Sequence, residues 1–131
     1  MLEKLVPDNI MAPFNNAYSH GVVIPPNARI LHLSGQIGAL PDGTVPEDGD
    51  AQAENVWRNI VTIVRAADMD VGDIVKLTAF IVDASVYPAY AAARNRDLAG
   101  LEPPASTAII VPALVLPEWK IEVEAIAAKS E

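Results

Sequence analysis

Between Asp50 and Ala67 apolar side chains recur every three or four residues, which is the spacing of one face of an amphipathic helix. Either Asp48 or Asp50 is placed to cap the first turn, where backbone amides lack partners. The pattern therefore predicts a helix over this segment with one buried face. Its apolar stripe consists of Val56, Ile60, Ile63 and Val64, with Ala53 and Trp57 beside it.

Shorter apolar runs elsewhere in the chain are typical of β-strands. The run at 74–82 has almost no polar interruption, so it is predicted to be an interior strand. Pro25-Pro26-Asn27 separates the first two runs and predicts that they pair as a hairpin. A second helix is predicted before Gly100 and Pro103. The predicted strands cover 18–24, 30–33, 74–82, 105–111 and 120–127, and the second helix covers 85–98.

The resulting order, ββαβαββ, predicts an α/β (α+β) fold in which a mixed sheet carries two helices on one face. Residues 1–16 contain Pro7, Pro13 and an Asn15-Asn16 pair and are predicted to be an irregular N-terminal arm. Residues 17–131 are predicted to form a single domain, since the chain has the length of one.

The last predicted strand alternates between charged and apolar residues. Lys120, Glu122 and Glu124 share one face, and the intervening apolar residues share the other. A second sheet face of mixed character meets either water or a partner. The pattern is therefore consistent with self-association through that face.

The composition narrows the function classes. The 131 residues include no cysteine, which excludes disulfides, thiolate zinc sites and a catalytic thiol. Seventeen acidic against nine basic residues give a net charge of −8, which argues against nucleic acid and anionic membranes as partners. The longest nearly apolar run, 108–117, is too short to span a bilayer, and the start of the chain lacks the pattern of a signal peptide. These features predict a cytoplasmic protein.

Few residues stand out as candidates for chemistry. His20 and His32 are too few for a zinc site without carboxylates, so no metal is predicted. The glycines around Ser34 lack the Lys-Ser/Thr ending of a phosphate loop, and no nucleophile elbow supports a catalytic triad. Glu122 is either a partly buried acid–base residue or part of a solvated face. Arg94 and Arg96 are predicted to be solvated, although either is able to bind an anion.

Several segments, taken together and in order, resemble the RidA/YjgF family of reactive intermediate deaminases. The resemblance covers nearly the whole chain after the N-terminal arm. The matching segments are Ala17-Tyr18-Ser19, Ile30-Leu-His-Leu-Ser-Gly-Gln-Ile37, Gln52-Ala-Glu-Asn55, Asp73-Ile-Val-Lys-Leu-Thr-Ala-Phe-Ile-Val-Asp83, Pro104-Ala105-Ser106-Thr107 and Ile121-Glu-Val-Glu-Ala-Ile-Ala127.

This resemblance implies a chorismate-mutase-like fold and a homotrimer with a small-molecule cleft between each pair of subunits. It also implies hydrolysis of enamines and imines to keto acids and ammonia, without a metal or organic cofactor. In the family an arginine clamps the substrate carboxylate through paired hydrogen bonds, and a glutamate positions the attacking water.

By position, Tyr18 matches the cleft tyrosine, Gly35 the glycine whose backbone approaches the ligand, and Glu122 the glutamate. Three positions depart from the family. Ser106 stands where the clamp arginine is expected, Ala91 where an asparagine is expected, and Ala108 at a cysteine or serine-type position. Because serine carries no charge, it cannot form the paired salt bridge. A compensating charge is hypothesised to come from Arg29, Arg94 or Arg96.

Three functions follow from the residues and the resemblance. The first is a hydrolase acting on an imine or enamine, with Glu122 and Tyr18 in the cleft. The second is a trimer that binds a small metabolite, or regulates through it, without catalysis. The third is a ribonuclease or translation inhibitor, a role implied by the resemblance, which the acidic charge balance disfavours.

Overall fold

A computed structural model describes all 131 residues, which form six strands and two α-helices. The strands and helices follow the predicted order from the second strand onward, with boundaries within a few residues of those expected. In chain order they are β1 (Glu3–Leu5), β2 (Gly21–Val23), β3 (Arg29–Ile37), α1 (Gly49–Ala66), β4 (Ile74–Ile81), α2 (Tyr87–Leu98), β5 (Ala105–Ile110) and β6 (Ile121–Lys129).

The main sheet has four strands in the order β3-β6-β4-β5. β6 runs antiparallel to both of its neighbours, whereas β4 and β5 are parallel and are joined by the crossover helix α2. The prediction that β4 is interior is confirmed, and the mixed α+β architecture is as expected. β5 forms one edge of the sheet within a single chain.

Two predictions about the N-terminal third are wrong. β2 does not form a hairpin with β3; it pairs antiparallel with β1, while β3 pairs with β6. The arm at residues 1–16 is therefore not irregular throughout, because residues 3–5 form a strand. Lys4 Nζ also donates a hydrogen bond of 2.7 Å to the carbonyl of Glu102, which ties this strand to the segment before β5.

The two helices pack on one face of the main sheet. The stripe predicted from the periodicity of α1 enters the core, and Asp48 caps that helix by accepting a hydrogen bond from the Asp50 amide. Alternation along β6 sends Ile121, Val123 and Ala125 towards the helices, as expected. Each large apolar side chain buried there stabilises the fold by about 1.5–3 kcal/mol.

The opposite face of the sheet carries no helix, and we call it the helix-free face. Glu122, Phe80 and Ile109 lie side by side across it, because they are register partners on β6, β4 and β5. Ile109 is 43% exposed at the edge of this face.

Neither helix of the chain combines the length and the hydropathy needed to cross a membrane.

Candidate functional site

The carboxylate of Glu122 lies directly over the backbone of Gly35. β6 carries Glu122 on the helix-free face, and β3 is locally irregular between Leu33 and Gln36, where Gly35 lies. A Cβ atom at residue 35 would lie 2.9 Å from Glu122 Cδ and would collide with Oε2. Glycine at this position therefore leaves room for the carboxylate, which is half-buried and takes part in none of the three ion pairs of the chain.

Two amide side chains of α1 hold the end of β3 in place beneath this pair. Asn55 Nδ2 donates a hydrogen bond of 3.1 Å to the carbonyl of Gly38. Asn59 Nδ2 donates to the carbonyls of Ile37 and Ala39, also at 3.1 Å. Since these carbonyls follow Gly35 closely along the chain, α1 fixes where the Gly35 backbone lies.

Gln52 of α1 holds the start of β6 in place through its side-chain amide. Its amide nitrogen donates to the carbonyls of Pro46 and Glu118 at 2.7 and 2.9 Å, and its oxygen accepts from the Lys120 amide at 2.8 Å. The side chain is fully buried, and all three bonds are to backbone groups. In the sequence, Gln52 stands out only as part of the segment Gln52-Ala-Glu-Asn55. Its link to the residue two positions before Glu122 emerges from the fold.

Tyr18 lies beside the start of β5. The neighbouring Ser19 forms a parallel bridge with Ala105, and its hydroxyl donates a 2.6 Å hydrogen bond to the carbonyl of Pro103. The Tyr18 hydroxyl accepts from the Phe14 amide at 3.3 Å, which leaves its own proton free. The predicted cleft tyrosine is thus placed near Ser106 and not near Glu122.

Ser106 lies on the helix side of β5, opposite Leu77 of β4. Arg94 of α2 reaches it: Nη1 donates to Ser106 Oγ at 3.4 Å, and Nε donates to Asn95 Oδ1 at 3.4 Å. The prediction that Arg94 is solvated is wrong, because the residue is only 1% exposed. Its Nη2 atom is buried with no hydrogen-bond partner, and none of the ion pairs includes it.

Tyr90 lies one helical turn before Arg94 and packs against it. The guanidinium carbon is 5.4 Å from the centre of the Tyr90 ring, a cation–π distance. The Tyr90 hydroxyl is also buried without a hydrogen-bond partner. Burial raises the pKa of Tyr90 to about 12, an effect that the positive charge of Arg94 partly offsets. Composition alone did not reveal that this stretch of α2 carries buried polar groups.

The other two arginines considered as compensating charges are engaged elsewhere. Arg96 forms a two-pronged ion pair with Glu54 of α1, both contacts at 3.2 Å. Arg29 pairs with Glu131 at 2.8 Å and donates to the carbonyl of Ala67. Of these three arginines, only Arg94 makes a hydrogen bond to Ser106.

The two remaining predicted positions lie on β5 and α2, the elements that carry Ser106 and Arg94. Ala108 follows it by two residues on the same face of β5 and is exposed. Ala91 is half-buried on α2, three residues before Arg94 and thus on the same side of that helix. Both have methyl side chains, which offer no polar contacts.

The candidate residues fall into two groups within one chain. We call Gly35 and Glu122 the carboxylate half-site, and Tyr18, Arg94, Ser106 and Ala108 the serine half-site. The register sets Ser106 three residues and two strands away from Glu122, which is about 14 Å, and on the opposite face of the sheet. One small molecule cannot contact both half-sites of the same chain.

The cavities of a single chain agree with this separation. The largest, of about 640 Å³, lies at the far end of β6 between Lys4, Glu102 and Lys129. None of the four main cavities is lined by Glu122, Gly35 or Ser106.

The ring of His20 forms a hydrogen bond with the carbonyl of Met11. No three side chains of His, Asp or Glu converge as a metal site would require.

Comparisons with known proteins agree on one family. Residues 10–129 match the sequence profile of the family described as Endoribonuclease L-PSP. The chain is 42% identical over 106 residues to the 2-iminobutanoate/2-iminopropanoate deaminase of Escherichia coli, covering 77% of this chain and 80% of that protein. A crystal structure of the Rid-family protein YyfB from Yersinia pestis superposes with a TM-score of 0.87 at 29% identity, covering 98% of both chains. E. coli TdcF with bound serine superposes with a TM-score of 0.70 at 28% identity, covering 98% of this chain and all of that one.

Proposed function

Because this chain belongs to the RidA/YjgF family, we propose that it hydrolyses a small imine or enamine to a carbonyl compound and ammonia. The observation that carries the proposal is the Glu122 carboxylate, held over the Gly35 backbone and engaged in no ion pair. The name of the E. coli relative suggests 2-imino acids such as 2-iminopropanoate as substrates.

The active cleft forms between copies of the chain in a homotrimer. Its support is the separation of the two half-sites, since a ligand that needs both must meet them on different subunits. The helix-free face provides a surface for assembly, because Phe80 and Ile109 leave apolar area beside Glu122. Burying that area between subunits would bring Glu122 of one copy towards the exposed edge of β5 in another.

Glu122 positions a water molecule against the imine carbon and accepts one of its protons. The water oxygen bonds to that carbon as the C=N π electrons move to nitrogen, which takes up the proton that Glu122 accepted. The hydroxyl proton of the resulting carbinolamine then passes to nitrogen as the C–N bond breaks and the C=O bond forms, which releases ammonia. Water and imine are thereby converted into ketone and ammonia with no other reactant. The Tyr18 hydroxyl, whose proton is free, donates to the substrate from the second subunit.

The direct test replaces Glu122 by glutamine and measures ammonia release from 2-iminopropanoate generated in situ. We expect the rate to fall about 100-fold, because the amide cannot accept the proton of water. Glu124→Gln is the matched control, since this exposed residue lies two positions along the same face of the same strand. Light scattering should give the same oligomeric mass for both variants. Retained turnover in Glu122→Gln would reject the proposal.

A second function, small-metabolite binding without catalysis, is favoured by one observation: Ser106 stands where the family's clamp arginine is expected. A binding protein would show a ligand-dependent rise in melting temperature and no ammonia release from any imine. That outcome would replace the hydrolase proposal.

A further inference from the structure

The largest cavity of the chain lies apart from both half-sites and is lined by two lysines. Its volume of about 640 Å³ falls within the range of roughly 300–1,000 Å³ that is usual for small-molecule sites. Ala128 and Lys129 line it at the end of β6, and Ala128 lies six residues, or about 20 Å, beyond Glu122 on that strand. The proposed hydrolysis makes no use of this cavity.

Lys4 of β1 is held in the wall of the cavity. Pairing of β1 with β2 fixes its backbone, and its Nζ atom donates a 2.7 Å hydrogen bond to the carbonyl of Glu102, which lines the same cavity. The side chain is half-buried and takes part in none of the three ion pairs of the chain. The fold therefore places an amine without an ion-pair partner against an open space.

Burial makes this amine easier to deprotonate. It lowers the pKa of Lys4 below the usual range of lysine, an effect that the negative charge of Glu102 partly offsets. The neutral form of a lysine carries the lone pair that attacks a carbonyl carbon, and desolvated lysines are the ones that enzymes use in this way. Lys4 thus combines a nucleophilic amine with room for a small carbonyl compound.

Lys129 supplies a second positive group to the same cavity. Its Nζ atom donates to the carbonyl of Asp68 at 3.2 Å, and it too belongs to no ion pair. The aspartates of the cavity wall are already engaged, since Asp70 accepts from Arg65 and Asp73 accepts from the Asp70 amide. An ammonium has three donors, so Lys129 keeps two of them for a ligand carboxylate.

We propose that Lys4 forms a reversible imine with a 2-oxo acid in this cavity, while Lys129 binds the carboxylate of that acid. The ammonium of Lys4 first gives one proton to solvent. Its Nζ atom then bonds to the carbonyl carbon, and one of the two remaining Nζ protons passes to the carbonyl oxygen. The carbinolamine loses its hydroxyl group and the last Nζ proton as water when the C=N bond forms.

Reductive trapping tests for this imine. The parent protein is incubated with pyruvate, a small 2-oxo acid, and sodium cyanoborohydride, whose hydride adds to the imine carbon and leaves a stable secondary amine. Cleavage after Glu3 separates Lys4 from the α-amino group of Met1, which also lines the cavity, so that mass spectrometry assigns the label to one amine. We expect Lys4 to be labelled at least about tenfold faster than Lys120, a half-buried lysine on a smaller cavity, with a rate that saturates as pyruvate increases.

Lys129→Gln tests how the carboxylate is bound. It should slow the labelling of Lys4 by pyruvate about tenfold or more, because a hydrogen bond between charged groups contributes that much to binding. Pyruvamide, which lacks the negative charge, should label Lys4 slowly and at the same rate in the parent and in Lys129→Gln. Lys120→Gln is the matched control, since it removes the same charge outside this cavity, and it should leave the labelling of Lys4 unchanged.

Three results of the trapping experiment would overturn the proposal: equal rates at Lys4 and Lys120, a rate that rises with pyruvate without saturating, or a label confined to the α-amino group. Equal labelling by pyruvate in the parent and in Lys129→Gln would overturn it as well.

Glu122→Gln separates this site from the proposed hydrolysis, because the variant should lose ammonia release and keep the labelling of Lys4. If the parent labels Lys4 as described but releases no ammonia, the lysine site stands and the hydrolase proposal fails. If the parent releases ammonia without selective labelling of Lys4, the hydrolase stands and the lysine site is rejected.

Discussion

Two glycines of the β3 region are constrained by different neighbours. A Cβ at Gly35 would meet the mobile end of a side chain, the Glu122 carboxylate. A Cβ at Gly38 would lie 2.5 Å from Cα of Gln52, which is backbone of α1. A carboxylate can rotate away from a methyl group, whereas a packed helix cannot. The first glycine therefore serves the site and the second serves the fold.

Gly35→Ala should lower turnover with little loss of stability. The added methyl group displaces the Glu122 carboxylate by about 1 Å or more, and a misplacement of that size costs up to about 100-fold in rate. Ammonia release from 2-iminopropanoate and a thermal melt measure the two effects. Gly38→Ala is the comparison, and it should lower the melting temperature strongly. Full activity in Gly35→Ala would show that Glu122 does not need its observed position.

Local sequence patterns predict the environment of Glu122 correctly and that of Arg94 incorrectly. The alternation of β6 placed Glu122 opposite the core, because side chains on a strand alternate whatever the rest of the chain does. The Ala- and Arg-rich composition of α2 predicts that Arg94 is solvated, yet it is buried. Burial of a single arginine depends on how α2 packs on β5, which no local pattern encodes.

α1 is the element that positions the carboxylate half-site. Its apolar stripe packs on the sheet, while Gln52, Asn55 and Asn59 bind backbone groups of the segments leading out of β3 and into β6. An amide carries both donors and an acceptor, so one side chain is able to hold two chain segments at once. The helix therefore couples the core to the geometry of Glu122 and Gly35.

Gln52→Leu should lower the free energy of unfolding by about 3 kcal/mol, because it leaves two partly buried carbonyls and the Lys120 amide without their side-chain partner. Urea unfolding measures this change. Thr62→Ala on the exposed side of the same helix is the control and should change the free energy by less than about 0.5 kcal/mol. Equal effects of the two substitutions would show that the Gln52 network does not hold the start of β6.

At the scale of the whole molecule, the two half-sites lie on opposite faces of one sheet. The two half-sites can therefore serve one small ligand only if they come from different copies of the chain. A closed symmetric oligomer repeats that pairing at every interface. The proposed activity and the proposed assembly are in this way linked, since a separated monomer would hold each half-site without its complement.

Mixing two inactive variants tests this arrangement. Glu122→Gln removes the carboxylate half-site, and Ser106→Glu blocks the serine half-site by placing a negative charge against Arg94. Co-refolded in equal amounts, they should recover about a quarter of the parental ammonia release, because one interface in four then joins two intact half-sites. Each variant refolded alone should stay inactive. Absence of recovery in mixed oligomers would place both half-sites of a working cleft on one chain.

The sequence by itself determined the features that depend on local periodicity: the helix at α1, the interior strand β4, the two faces of β6, and the order of elements from β2 onward. The ordered segments that resemble the RidA/YjgF family also indicate the family that the comparisons show. These features depend on which side of a helix or strand each residue occupies, and neighbours along the chain set that.

Only the tertiary structure decided which strands pair, where the Glu122 carboxylate lies, and what Arg94 contacts. β2 pairs with β1 and not with β3, Gly35 meets a side chain far away in sequence, and Arg94 is buried beneath Ser106. Each of these contacts joins segments whose proximity arises when the sheet and helices assemble. The composition shows that the chain has few basic residues. The fold shows that one of them, Arg94, is buried without a counter-ion.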